Sequence, residues 1–496
     1  MTAAHGSGTK GGKDVTIRMY RHGLGDCFLL GLPRAQGGGF HVLIDCGLIS
    51  GVAGARETMR EVVGSIREAC GDHLDLAVIT HAHWDHVSAF SREQAQDLFE
   101  DGMAIDEVWY AWTEDPTDKL GQKLRRERGA KLAALAKASP ALAKLGEAGS
   151  ARMLERRARV DNLLQFYGLE GAASLGAASA DAGRTAAAFE YLARRHGVRT
   201  RYLAPGDPPR ALPGVEGVRV YAVGPPRNEA LLKRSDPTRK GREVYEFVSD
   251  EAQGECLGAA FDRVTGPTAD DSDCPFEASF CRGPGRRAPS AQLARLIQEV
   301  YDAKDMAWRR VDDDWTAAAE TLALNLDSHT NNTSLVLAFE LTGSGGVLLF
   351  AADAQVGNWL SWQDVTWEVP EAGGTRSRVT GADLLRRTVF YKVGHHGSHN
   401  ATLRELGLEQ MASEDLVAAV PVSVAQAKAK RWTQMPFKPL MERLAQKTGG
   451  RVLVSDVQAA APTLRTLGAL NKAQRAGFLK ALKEEPLYYE LSIPLA

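Results

Sequence analysis

Residues 79–90 read ITHAHWDHVSAF, and within them His81, His83, Asp85 and His86 crowd into six positions directly after the apolar run LDLAVIT. Imidazole nitrogens and carboxylate oxygens are ligands of borderline divalent ions such as zinc. A loop leaving a strand turns side chains at i and i+2 toward one ion and those at i+4 and i+5 toward a neighbour, so two ions share one loop. A surface or capping role would account for one such histidine. Three of them with an aspartate, placed behind a strand that reads as buried, point instead to metal ligation.

The elements that must position this loop are legible as a strand-rich frame. VTIRMY (15–20), CFLLGL (27–32) and FHVLIDC (40–46) are short apolar or β-branched runs broken by glycine-rich turns, and ARETMREVVGSIREAC (55–70) has helical spacing. After DEVWYAW (106–112), residues 113–197 read as a helical, basic insertion, and VRTRYL (198–203) and VRVYAV (218–223) return to strand. Residues 227–325 carry the glycine, proline and charge content of long loops, with a helix from about Ser290, and read as a second insertion or lid. SLVLAFEL (334–341), VLLFAADA (347–354) and TVFYKVGHHGSH (388–399) resume the frame, followed by the strand, helix and strand of DLVAAVPVS, PLMERLAQKT and RVLVSD. Strands alternate with helices in both halves, so the class is α/β, with chemistry expected at strand ends.

Composition narrows the setting. A chain of 496 residues, 44% hydrophobic and 25% charged, is long enough for one large domain or two ordinary ones. No run reaches the roughly 18 apolar residues of a membrane span, and the start MTAAHGSGTKGGKD lacks a signal-peptide core, so a cytoplasmic location without membrane contact is expected. Cys27, Cys46, Cys70, Cys256, Cys274 and Cys281 are scattered, with no C-x-x-C pair, and are expected as free thiols. The net charge of −2 predicts no global attraction to polyanions. Between Lys119 and Val160, however, twelve Lys or Arg face three Glu, an excess of nine. That segment is the one candidate surface for nucleic acid, although AKLAALAKASPALAKLG also reads as an ordinary solvated helix without stacking aromatics.

The run from His81 to His86 resembles the H-x-H-x-D-H motif of the metallo-β-lactamase superfamily, and companion motifs follow in order. IDCG (44–47) is similar to the strand-end aspartate motif, AADA (351–354) to the motif of the metal-bridging carboxylate, and KVGHHGSH (392–399) to the closing histidine motif. Within the superfamily, GLGDCFLL (23–30), NNTSLVLAF (331–339) and HHGS (395–398) resemble the hydrolase domain of ComEC-type competence proteins, without their membrane channel. The resemblance implies an αββα sandwich over residues 14–496, interrupted by the two insertions, and two divalent ions, zinc first with manganese or iron as alternatives. It implies metal ligation by His81, His83, Asp85, His86, Asp353 and His396, with Asp45 and Asp26 as supporting carboxylates behind the ligands. His329 is a further candidate ligand, in competition with Asn331 or Asn332. Of the histidine pair, His396 is expected on the metal and His395 as an acid or substrate contact.

Three positions depart from the resembled pattern. Ala352 and Ala89 stand where glycine is usual, and Met435-Pro436 where a His-Pro pair often occurs. Two ions about 3.5–4 Å apart lower the pKa of a bridging water, polarise the scissile bond and steady the leaving oxygen. Asp85 would hold one ion and orient the metal-bound hydroxide. The expected activity is therefore that of a dinuclear hydrolase, a phosphodiesterase or nuclease, with hydrolysis of a small ester, lactone or lactam as the alternative. A scaffold protein with a degraded site is a third reading, opposed by the retention of the whole motif and Asp353.

Overall fold

The computed structural model describes residues 14–146, 151–169, 183–234, 291–300, 314–370, 374–459, 461–462 and 465–496. The first half of the frame is a run of six neighbouring strands, β1 (Asp14–Tyr20), β2 (Cys27–Pro33), β3 (Gly39–Cys46), β4 (His73–Val78), β5 (Ala104–Ala111) and β6 (Arg199–Leu203). The turns β1–β2 and β2–β3 make antiparallel pairs, whereas β3 to β6 run parallel, each joined to the next by a helical crossing. The second sheet holds β7 (Arg210–Ala211), β8 (Val218–Gly224), β9 (Val336–Leu341), β10 (Val347–Phe350), β13 (Thr388–Lys392), β14 (Val417–Val420) and β15 (Val452–Val454), ordered β15-β14-β13-β10-β9-β8-β7. A small hairpin, β11 (Thr366–Pro370) and β12 (Arg376–Thr380), stands apart, and β16 (Leu482–Glu484) and β17 (Tyr488–Pro494) extend the first sheet beyond β1.

Period-two alternation decides which face each sheet buries. Val15, Ile17, Phe28, Leu30, Val42 and Ile44 of the first sheet share one core with Leu337, Phe339, Leu348 and Phe350 of the second. The alternate residues Leu29, Leu43 and Ala77 face outward onto the helix Ala55–Cys70, whose Met59, Val62, Val63 and Ile66 recur at helical spacing. On the far side, Ala338, Leu349, Tyr391 and Ala418 meet Trp359 and the helix Lys438–Thr448 through Leu440 and Leu444. The molecule is thus a mixed α/β structure of two large sheets with a common core and helices over the outer faces.

The expected helical insertion contains the helices Lys119–Gly146, Ala151–Gln165 and Gly183–Arg194. Of residues 227–325, the described parts include the helices Ala291–Val300 and, running on to the second sheet, Asp314–Asn331. Leu132, Leu135, Val160, Ala319, Ala323 and Leu326 join one core, so the two insertions pack on each other.

Two strands end earlier than their apolar runs suggest. β10 stops at Phe350 because Ala352 is left-handed (φ 48°), and β13 stops at Lys392 because His395 and His396 are left-handed as well (φ 41° and 52°). Cys27, Cys46 and Cys70 are free thiols; Cys256, Cys274 and Cys281 lie outside the described residues. Among the described residues no helix is long and apolar enough to cross a membrane.

Candidate metal centre

The histidine motif begins where β4 ends. Asp45, at the end of the neighbouring parallel β3, accepts hydrogen bonds from the Thr80 amide (2.9 Å) and hydroxyl (2.7 Å), which turns the chain out of the sheet. His83 then precedes the short helix Trp84–Val87 in extended conformation, and that helix carries Asp85 and His86. The loops GLGDC and IDCG press backbone to backbone against this helix. The Asp26 amide donates to Asp85 O (3.0 Å), and a Cβ at Gly47 would stand 2.4 Å from the Asp85 carbonyl carbon. Glycine is required at position 47 for that approach.

From the second sheet come Asp353, just past β10, and His395 and His396, past β13. His81 Nε2 and His83 Nδ1 lie 3.0 Å apart. His86 Nε2 is 3.2 Å from Asp353 Oδ2, and His396 Nε2 is 2.9 Å from Asp85 Oδ2 and 3.8 Å from Asp353 Oδ2. Asp26, His86, Asp353 and His396 each offer a ligand atom within 4.8 Å of the others. Two atoms bonded to one tetrahedral ion at about 2.0–2.2 Å would be separated by roughly 3.3–3.6 Å, so these spacings suit a shared cation. No hydrogen bond of good geometry reaches His86 Nε2, Asp85 Oδ1 or Asp353 Oδ2, although the first and last stand 3.2 Å apart as an ion pair, and an ion between them would satisfy all three.

The rear of each ring is held too. Asp45 Oδ2 lies 2.8 Å from His86 Nδ1, Pro421 O 2.7 Å from His396 Nδ1, and Thr80 Oγ1 3.1 Å from His81 Nδ1. Asp26 stands behind Asp353 through Lys392, whose ammonium pairs with the Asp26 carboxylate and reaches Asp353 Oδ1 (3.2 Å) and Ala352 O (2.6 Å).

Burial opposes a charge on His86, but Asp353, Asp85, Asp26 and Asp45 outweigh it and hold the ring well above the ordinary histidine range. His396 is likewise raised against burial by Asp353 and Asp85. Burial lowers His83 to about 3 and His395 to about 4. Burial, with Asp353 and Asp85 nearby, pushes Asp327 well above the carboxylate range. Five buried carboxylates, Asp26, Asp45, Asp85, Asp327 and Asp353, thus face one buried ammonium, Lys392.

Of the residues expected at the site, His81, His83, Asp85, His86, Asp353 and His396 come together, with Asp45 and Asp26 behind them. His329 does not join them. On the helix Asp314–Asn331 it lies two residues, and so about 200°, from Asp327, and its Nδ1 accepts from Lys131 Nζ (3.2 Å) in a separate cleft beside Arg128. Asn331 bonds the Asp327 carboxylate (3.2 Å), and Asn332 braces Gln355 and Asn358. His395 is adjacent: its amide donates to Asp353 Oδ1 (3.1 Å), and its Nδ1 lies 3.0 Å from Ser398 Oγ.

Ala352 keeps the left-handed turn that glycine would adopt freely, with its carbonyl held by Lys392 and the His395 amide. Ala89 sits in a short 3-10 segment with negative φ, fully buried, where no glycine is needed. Met435-Pro436 lies against the closing motif, where the Phe437 amide donates to Gly397 O (2.8 Å). Asp327 and Lys392 are the residues that sequence reasoning missed. Lys392 opens the quoted KVGHHGSH and could have been found as a charge ending an apolar strand; Asp327, on an unremarkable helix, gave no signal.

Among the described side chains of the basic segment, several cations are paired with groups elsewhere in the chain. Arg125 donates to Thr113 O and Asp115 O, Arg128 makes a two-pronged pair with Glu114 (3.1 and 3.2 Å), Lys123 meets Glu229 (2.8 Å) and Arg159 meets Glu320 (2.7 Å). No family model matches the chain, and no curated protein matches it either.

Proposed function

We propose that this chain is a dinuclear metal-dependent hydrolase with the αββα sandwich of the metallo-β-lactamase type, and that its reaction is hydrolysis of a phosphodiester. The observation that carries the reading is the buried meeting of four imidazoles with Asp85 and Asp353, their facing nitrogen and oxygen atoms 2.9–3.8 Å apart, with Asp85 Oδ1 left without a hydrogen-bond partner. His81, His83 and Asp353 would hold one ion, and Asp85, His86, His396 and Asp353 the other; zinc, manganese and iron all accept this donor set. When bound, such a pair supplies an acidified water and neutralises charge at the reacting group.

The chain's own residues orient and exclude. Asp45 and the Pro421 carbonyl fix the outward nitrogens of His86 and His396, as carboxylates and carbonyls behind ligand histidines do. Lys392 pins Oδ1 of Asp353 and leaves Oδ2 to face the histidines. Asp85 Oδ1, unpartnered, suits a role in orienting the attacking water. Burial keeps His395 neutral, and this favours a hydrogen-bonding contact to substrate over proton donation. The pairing of several cations of the basic segment supports a second reading, a small substrate that does not run along the insertion.

The test is turnover with added zinc or manganese against bis-p-nitrophenyl phosphate, single- and double-stranded DNA, RNA, a lactone and a lactam. Phosphodiester turnover that disappears in a folded Asp353→Ala variant is the expected result. Turnover confined to lactone or lactam moves the conclusion to the second reading, and failure to take up metal overturns both.

A further inference from the structure

Three of the four clustered histidines have a partner at the ring nitrogen turned away from the cluster: His81 has Thr80 Oγ1, His86 has Asp45 Oδ2 and His396 has Pro421 O. His83 differs. Its Nδ1 faces His81 Nε2 at 3.0 Å, and its Nε2 is buried with no hydrogen-bond partner. Oδ1 of Asp327, also buried and unpartnered, lies 3.8 Å from that Nε2. A shift of about 1 Å brings the two atoms to hydrogen-bond distance and satisfies both.

We propose that Asp327 is the positioning residue of His83: its Oδ1, an acceptor whether or not the group carries a proton on Oδ2, takes the Nε2–H and so leaves the lone pair on Nδ1, beside His81 Nε2, where the first ion would be held. The assignment rests on the dinuclear reading above and deepens it. Its setting is built for orientation. Asn331, one turn along the helix Asp314–Asn331, donates to the other Asp327 oxygen (3.2 Å). The plane of His83 is fixed by Phe166, stacked at 5.2 Å, and by Tyr167, edge-on at 4.9 Å. The Trp84 amide donates to Phe166 O (2.6 Å), and the Tyr167 hydroxyl bridges to Thr330 Oγ1 (2.7 Å) and Leu326 O (3.1 Å). The first insertion and the helix that leads out of the second therefore converge on one ligand histidine, Phe166 and Tyr167 holding its plane and Asp327 its tautomer.

Metal affinity reads this directly. In competition titrations with Mn²⁺ or Co²⁺, Asp327→Ala should weaken one of two ions by about 10–100-fold and spare the other. Asp327→Asn, which still presents an acceptor oxygen, should recover most of the loss, and Asp327→Ala should add nothing in a His83→Ala background. A measurement without substitution covers an Asp327→Ala variant that does not fold: long-range nitrogen–proton NMR of histidine-labelled, zinc-loaded protein should show His83 as the Nε2–H tautomer. A His83 protonated at Nδ1, or equal affinities for both ions in wild type and Asp327→Ala, overturns the assignment alone. A wild type that binds no ion overturns the dinuclear reading and this assignment with it.

Discussion

Lys392 is 1% exposed and its ammonium is enclosed by Asp26, Asp353 and the Ala352 carbonyl, so Lys392→Met is a sharp probe of the site's electrostatics. Methionine fills a similar volume but removes an ion pair and the donor to a carbonyl. Breaking a buried pair from one side costs about 3–5 kcal/mol, and the lost carbonyl bond contributes about 1 kcal/mol, so a loss of about 4–6 kcal/mol is expected. Asp26→Asn/Lys392→Met, which removes both charges of one pair, should recover part of it. Burial opposes the Lys392 charge, but Asp26 and Asp353 outweigh it and raise its pKa. A raised folded pKa means that the contribution is fully present below the unfolded lysine value and is lost only as pH rises through the folded one. The difference between wild type and variant should therefore stay flat from about pH 6 to 9. The assay is urea denaturation of zinc-loaded protein across that range, read by the midpoint at constant m-value. A single variant within about 1 kcal/mol of wild type, or a double variant worse than the single, would refute the reasoning.

Elemental analysis should find two divalent ions per chain. At 100 times the dissociation constant each adds about 2.7 kcal/mol, and with an unfolding entropy near 2.1 cal/mol/K per residue the melting temperature should rise by about 5 °C and fall again with chelator. Ala352→Gly should stabilise by about 1 kcal/mol, because alanine is strained at φ 48°; a lower denaturation midpoint would show that the methyl group contributes packing instead. Burial tends to raise Glu340, but Tyr221, Arg387 and Arg219 outweigh it and depress the carboxyl. Its contribution is present above the unfolded glutamate value and lost as pH falls through the folded one, so Glu340→Gln should cost about 2 kcal/mol at pH 7 and much less near pH 3, read by denaturation at both. Arg128→Gln should lower stability by about 2 kcal/mol through its Glu114 pair, measured by the same denaturation. Arg126→Gln should flatten the salt slope of any nucleic-acid binding by at most about one unit, measured by salt titration.

The sequence by itself determined the frame and most of the candidate ligands. Alternation at period two marks which residues of VTIRMY, CFLLGL and FHVLIDC enter the shared core, and the helix at 55–70 has the bounds its spacing predicted. His81, His83, Asp85 and His86 are legible because a six-residue spacing is a local fact, fixed by one strand end and one short helix. The ends of β10 and β13 were less legible, since apolar residues continue past Phe350 and Lys392 up to the left-handed turns at Ala352 and His395 that break the pairing. The strands β16 and β17 went unread because β17 takes its place by pairing with β1, more than 450 residues away in the chain, and β16 takes its own by pairing with β17. The tertiary structure alone separates His329 from Asp327. Both lie on one helix, and only the packing of that helix decides which of two opposite faces meets His83. It alone, too, brings Lys392 between Asp26 and Asp353, from two different sheets, because charge compensation in a buried site depends on distances that the order of residues does not encode.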